Sequence, residues 1–94
     1  MEIQHSDNGK RGRFFIEIEG IELAEMTYVW AGEGIIIIEH TAVDDALRGK
    51  SAGKQLVAEA VAFAREKGIK IKPLCPFAKS VFDKIEDYHD VLKN

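Results

Sequence analysis

The chain has 94 residues, with 13 lysines and arginines against 16 aspartates and glutamates and a formal net charge of -3. That length allows one domain with a core of its own, though not a generous one. The acidic balance excludes the basic surface that nucleic-acid binding needs, and no apolar run reaches the length of a membrane span.

Cys75 is the single cysteine, so no internal disulfide forms and the chain fits a reducing cytoplasm. The start, Met1 to Asn8, lacks the charged-then-apolar pattern of a secretory signal. In chain order, Glu2 to His5 is expected as a short edge strand, and Asn8-Gly9 is a hairpin signal inside the polar stretch Ser6 to Gly12. Arg13 to Glu19 alternates, with Phe14, Ile16 and Ile18 on one face and Glu17 and Glu19 on the other. After a turn at Gly20, Glu22 to Ala31 reads as a strand with Ala24, Met26, Tyr28 and Trp30 on one face. Glu17, Glu19, Glu22 and Glu25 read as a solvated sheet face. Ile35 to Thr41 is the next strand, and its Ile35 to Ile38 run predicts burial on both faces. Short turns between these strands imply an antiparallel meander.

A helix is predicted from about Ser51 to Lys67, with Leu56, Ala60, Phe63 and Ala64 in its apolar stripe and Gly68 as its stop. Ile69 to Leu74 then reads as a strand parallel to the Ile strand, reached by a right-handed crossover. Pro76 suits the first turn of a second helix running to about Ile85, with Phe77, Val81, Phe82 and Ile85 as its stripe. Tyr88 to Leu92 forms a tail that adds a turn or an edge contact. The class is α/β in the α+β sense, one domain over residues 1–94.

The connection from Val43 to Val57 carries the chemistry. It leads from an apolar strand into an amphipathic helix through a turn rich in glycine and basic residues. The first N–H groups of a helix lack partners within it, and the helix dipole favours negative charge there. With Arg48, Lys50 and Lys54 nearby, the turn suits a phosphate-bearing ligand. Asp44 and Asp45 would repel phosphate if they pointed inward. No His, Cys or Asp spacing reads as a metal site.

Arg48-x-x-Ser51-x-Gly53 resembles the (Gln/Arg)-x-x-Gly-x-(Gly/Ala) signature of the GCN5-related N-acetyltransferases. Lys70-Ile-Lys-Pro73-Leu74-Cys75-Pro76-Phe77-Ala78 is similar to the strand-then-helix segment of their very small single-domain members, as is His40-Thr41-x-Val43. The resemblance runs from about Phe14 to Leu92. It implies a minimal version of that fold: antiparallel meander, helix, parallel strand and C-terminal helix. It implies acetyl-CoA as co-substrate, an amine acceptor, and no nucleic-acid or membrane partner. It also implies that the loop Arg48, Gly49, Lys50, Ser51, Ala52, Gly53 and Lys54 holds the pyrophosphate, and that the backbone of Thr41, Ala42 and Val43 pairs with the pantetheine. Full-size members carry further elements that build the acceptor site, which this shorter chain lacks.

Ser51 stands where the family has Gly, and fits there if its backbone dihedrals stay ordinary. Cys75 is either a small buried apolar side chain or, at a helix N-terminus beside the inferred acetyl position, a nucleophile of lowered pKa. His40 is either a hydrogen-bonded core histidine or the general base for the acceptor, with Glu39 the weaker alternative. The tyrosine that many members use as general acid is missing: the second helix has Phe82, and Tyr88 lies beyond it. Three classes remain open: an acetyltransferase, an acyl-CoA-binding module without turnover, and an interaction domain whose small sheet forms a homodimer.

Overall fold

The computed structural model of the chain describes residues 1–93. The meander is present as β1 (Gln4–Asp7), β2 (Arg11–Ile18), β3 (Ile21–Trp30) and β4 (Ile35–Val43). A 3-10 turn at Asp45–Leu47 leads to α1 (Ala52–Lys67), followed by β5 (Lys70–Pro73), α2 (Pro76–Lys84) and a 3-10 segment at Glu86–Val91. The strands lie in the order β1-β2-β3-β4-β5, antiparallel up to β4 and parallel between β4 and β5.

Strand periodicity sorts the side chains. Phe14 and Ile16 of β2, Ala24, Met26 and Tyr28 of β3, Ile36 and Ile38 of β4, and Ile71 of β5 are buried in one cluster. The same cluster holds Leu56, Val57, Ala60, Val61 and Ala64 of α1 and Ala78, Val81 and Phe82 of α2. Gly68, in the left-handed conformation, ends α1 as its position predicts.

The expectation that Ile35 to Ile38 is buried on both faces is corrected. Ile36 and Ile38 are fully buried, whereas Ile35 and Ile37 are half-buried with Val29 and Phe15 on the opposite face. That face is partly covered by its own long side chains. Arg13 bridges Glu22 (2.6 Å) and Glu25 (2.7 Å) and lies 3.8 Å over the Phe15 ring, so the acidic group is paired as well as solvated.

β1 begins and ends later than expected, because Asp7 and Asn8 build the turn. Their side chains accept from the N–H groups of Gly9, Lys10 and Arg11. At the other edge, Leu92 bridges to Ile71 and the Lys93 N–H donates to the Ile71 carbonyl (2.8 Å), so the tail makes both a turn and an edge contact.

One register break has consequences for the site. Tyr28 pairs with Ile38 but Thr27 pairs with His40, leaving Glu39 as an extra residue on β4. A regular strand would continue the inward set Ile36, Ile38 with His40. The bulge inverts the phase, so Thr41 and Val43 pair with the buried Met26 and Ala24, while His40 and Ala42 pair with Thr27 and Glu25 on the opposite face.

From Tyr28 outward, β1 docks through an aromatic cluster. The Tyr28 hydroxyl donates to Asp7, and its oxygen accepts from His5 Nε2 (2.7 Å). Trp30 Nε1 also donates to Asp7 (2.9 Å). The His5 ring stacks on Phe14 (4.2 Å) and meets Phe63 edge-on (4.6 Å). Burial lowers the His5 pKa below its ordinary 6.5, against the attraction of Asp7 and Glu59 and with the repulsion of Lys67. A histidine depressed in the fold contributes stability that is complete above pH 6.5 and is lost as the pH falls through the lowered value. Denaturant midpoints measured between pH 7.5 and pH 5 should therefore fall in the native chain and fall less in His5→Phe. Parallel pH profiles for the two proteins would refute the assignment.

Candidate functional site

The turn after β4 is built from local hydrogen bonds. Asp44 caps the 3-10 turn by accepting from the Ala46 N–H (2.9 Å), and Leu47 plugs into the core. Arg48 reaches back to Asp45 (2.7 Å), with both side chains largely exposed. The two carboxylates are thus engaged with the turn itself.

Gly49 (φ 81°) and Ser51 (φ 57°) both adopt the left-handed conformation. The condition under which a serine fits here without strain, ordinary dihedrals, is therefore not met. A residue with a Cβ costs about 1 kcal/mol more than glycine in this conformation, which is a physical reason for glycine at this place in the family signature. The turn starts α1 abruptly. Its first helical bond runs from the Gln55 N–H to the Ser51 carbonyl (3.0 Å), and Gln55 Nε2 holds the Lys50 carbonyl (3.0 Å). Among the described residues, none accepts from the N–H groups of Ala52, Gly53 and Lys54.

Those donors open onto a cleft of about 400 Å³. It gathers Thr41 and Val43 from β4, Arg48, Gly49, Ser51, Ala52, Gly53 and Lys54 from the turn and α1, and Phe77 from α2. Of the residues expected at a coenzyme site, Ala42 and Lys50 do not line it. The bulge turns Ala42 to the other face, and Lys50 is exposed outside the cleft. Leu47 and Phe77 line it without having been singled out. The spacing of Phe77 places it in the buried stripe of α2, whereas the structure leaves it 39% exposed in the cleft.

Just before Thr41, β4 and β5 part. Their pairing runs from Ile35 with Lys70 to Ile38 with Pro73 and stops. The N–H groups of Leu74 and Cys75 both donate to the Ile38 carbonyl (3.0 Å each), which swings the chain into α2. Cys75 is the N-cap of α2 and only 5% exposed. Its thiol donates to Thr41 Oγ1 (3.3 Å). Burial alone would push the Cys75 thiol up. The Thr41 hydroxyl and the backbone N–H groups of Ala78, Phe77 and Thr41 outweigh it and hold the pKa below the ordinary 9.0.

His40 and Cys75 are not brought side by side. The bulge puts Thr41 towards Cys75 and His40 on the opposite sheet face, exposed and not a core histidine. Glu39 is bound to Arg11 (2.9 Å). Tyr88 packs edge-on against the buried Phe82 (6.0 Å), beyond the end of α2. Among the described residues, no three His, Cys, Asp or Glu side chains cluster to hold a metal ion, and no helix is long and apolar enough to cross a membrane.

A family model described as GCN5-related N-acetyl-transferase matches residues 13–91. The chain is 32% identical over 74 residues to Protein NATD1 of Gallus gallus, covering 78% of this chain and 67% of that protein. The matches to the human, frog and mouse proteins of the same name cover between 59% and 62% of their lengths. Among solved structures, the solution structure of a GCN5-like protein from Staphylococcus aureus superposes with a TM-score of 0.78 at 38% identity, covering 99% of this chain and 88% of the other. An aminoglycoside N-acetyltransferase in complex with CoA superposes with a TM-score of 0.65 at 12% identity, covering 88% of each chain, a likeness of fold alone.

The Thr41 contact should be measurable in solution. Thiolate absorbance followed against pH, with Cys75→Ala as the blank, should give a midpoint below 9.0 for the native chain and a higher one for Thr41→Val. Identical midpoints would show that the hydroxyl does not tune the thiol.

Proposed function

Because the chain belongs to the family of GCN5-related N-acetyl-transferases, we propose that its cleft takes acetyl-CoA and that the chain passes the acetyl group to an amine. The observation that carries this reading is a cleft lined by the start of α1, where three N–H donors are unpaired, and by Thr41, whose hydroxyl meets the buried Cys75 thiol at the start of α2. The coenzyme carries its pyrophosphate and its thioester apart, as the chain carries the α1 donors and the Cys75 thiol on two different helix starts. The CoA complex of a neighbour with the same fold supports the choice of ligand.

In this reading the N–H groups of Ala52, Gly53 and Lys54 receive the pyrophosphate, with added charge from Lys54, Lys50 and Arg48. Part of the Arg48 charge is already spent on Asp45. The β5-facing edge of β4 beyond Ile38, where strand pairing has ended, offers its backbone to the pantetheine amides and to the thioester carbonyl. The Cys75 thiolate attacks that carbonyl, the C–S bond to CoA breaks, and CoA leaves as thiolate. The amine then attacks the acetyl-cysteine and restores the Cys75 thiolate, and the proton it gives up passes through solvent to His40 on the other face of the sheet.

A CoA-binding module without turnover is the second reading, favoured by the buried Phe82 on the helix where many relatives have a tyrosine. CoA release with a panel of amines separates the two.

Calorimetry should show acetyl-CoA binding that weakens with salt, since the charged groups are exposed and screened. Lys54→Ala should weaken it several-fold, on the order of 1 kcal/mol, while Lys93→Ala leaves it unchanged. Intact mass after mixing with acetyl-CoA should show a transient acetyl adduct, cleaved by hydroxylamine and absent in Cys75→Ala. His40→Ala should lower turnover more than coenzyme affinity. A Cys75→Ala protein that transfers acetyl at the native rate would leave direct attack by the amine as the mechanism.

A further inference from the structure

Gly53 is the last residue of the signature, and a glycine there is readily explained by close approach of a phosphate. The structure gives it another neighbour. A Cβ built on Gly53 would fall 2.6 Å from Cζ and 2.8 Å from Cε2 of Phe77, closer than real Cβ contacts come. Gly53 does not have the positive φ that would itself require glycine. What lies against its bare Cα is an aromatic ring.

That ring stands between the two helix starts. Phe77 follows Cys75 by two residues in the first turn of α2, and its backbone N–H faces the Cys75 sulfur. Its side chain reaches in the other direction, to the start of α1. It lines the same cleft as Thr41 and Lys54, together with Val43 and Leu47. Phe77 remains 39% exposed and Val43 40% exposed, so both keep apolar surface free for a ligand to cover. The ring thus shares the cleft with the start of α1 and with Thr41, whose hydroxyl meets the Cys75 thiol.

Resting on the coenzyme reading above, we propose that Phe77 is a specificity-determining residue for the arm of CoA between pyrophosphate and thioester. Gly53 is the positioning residue that lets the ring stand in the cleft. The ring discriminates ligands that carry a pantetheine arm from nucleotides that share only the pyrophosphate. A side chain on Gly53 acts by displacing the ring and not by blocking the phosphate.

The test uses the full chain and two probes, CoA and ADP, with dissociation constants from NMR titration of the native chain, Phe77→Ala, Phe77→Leu, Gly53→Ala and the Gly53→Ala/Phe77→Ala double variant. Phe77→Ala should weaken CoA about tenfold, the effect of removing a partly covered aromatic ring, while ADP changes by less than about twofold. Gly53→Ala should weaken CoA in the native background and add nothing once Phe77 is alanine. Phe77→Leu, intermediate for CoA and native-like for ADP, carries the test if the alanine variant does not fold. Equal losses for CoA and ADP, or a Gly53→Ala effect of the same size in both backgrounds, would overturn the proposal. If the native chain binds neither probe, the coenzyme reading falls; if it binds CoA and Phe77→Ala binds it as tightly, only the role of Phe77 falls.

Discussion

The carbonyl oxygen of Ile38 accepts two N–H groups, those of Leu74 and Cys75, at the point where β5 would otherwise go on pairing with β4. The place of Phe77 in the cleft and of Cys75 beside Thr41 depends on that convergence. The second donor takes the place of the next rung of a parallel ladder, so the strands separate. Pro73 and Pro76 flank the turn. Pro73 has no N–H to offer a ladder, and Pro76 has the backbone angle that starts a helix. Cys75 is thereby fixed as the N-cap of α2 within reach of Thr41, and β4 runs on for five residues with no β5 partner.

The bulge at Glu39 works together with that separation. It changes which side chains of β4 face the helices, so Thr41 and Val43 enter the cleft and His40 leaves it. Without it, an imidazole would stand where a hydroxyl now meets the thiol. A hydroxyl can donate to a thiolate without carrying charge, which suits a thiol whose burial already disfavours ionisation. The same bulge leaves His40 on a face bordered by Thr27, Glu25 and the Arg11–Glu39 pair, in contact with solvent.

Much of this architecture was legible in the sequence. Alternation in Glu22 to Ala31, the helical stripe from Leu56 to Ala64, the stop at Gly68 and Pro76 before the second stripe are local signals, and the elements follow them. Alternation from Arg13 holds through Phe14 and Ile16, but a register shift between Ile16 and Glu17 leaves Ile18 exposed and not on the buried face. What escaped was set by contacts across the sheet. Nothing in Glu39-His40-Thr41 announces a bulge, because a bulge is a relation between two strands. Four consecutive isoleucines read as doubly buried, yet Ile35 and Ile37 share their half-buried face with Phe15 and Val29 and are flanked on β5 by Lys70 and Lys72. Ser51 would fit without strain only with ordinary dihedrals, yet it holds the left-handed angle, since the hydrogen bonds from Lys50 to Leu47 and from Gln55 to Ser51 fix the path on both sides. Phe77 was assigned to a buried stripe by its spacing. Its ring found the bare Cα of Gly53, a gap that only the approach of two helices creates.

The order in which these contacts arise follows from their separation along the chain. Strands β1 to β4 are joined by tight turns and can zip up from neighbours, whereas β5 docks only after α1 has crossed the sheet. Thr41 and Cys75 are 34 positions apart. Closing so long a loop is entropically costly before its contacts form, which makes distant parallel pairing a late event in folding. The sheet thus precedes the pocket. Local opening at the β5 edge would carry off α2, and with it Phe77 and Cys75, while the antiparallel meander persists, so the cleft can lose that wall without global unfolding.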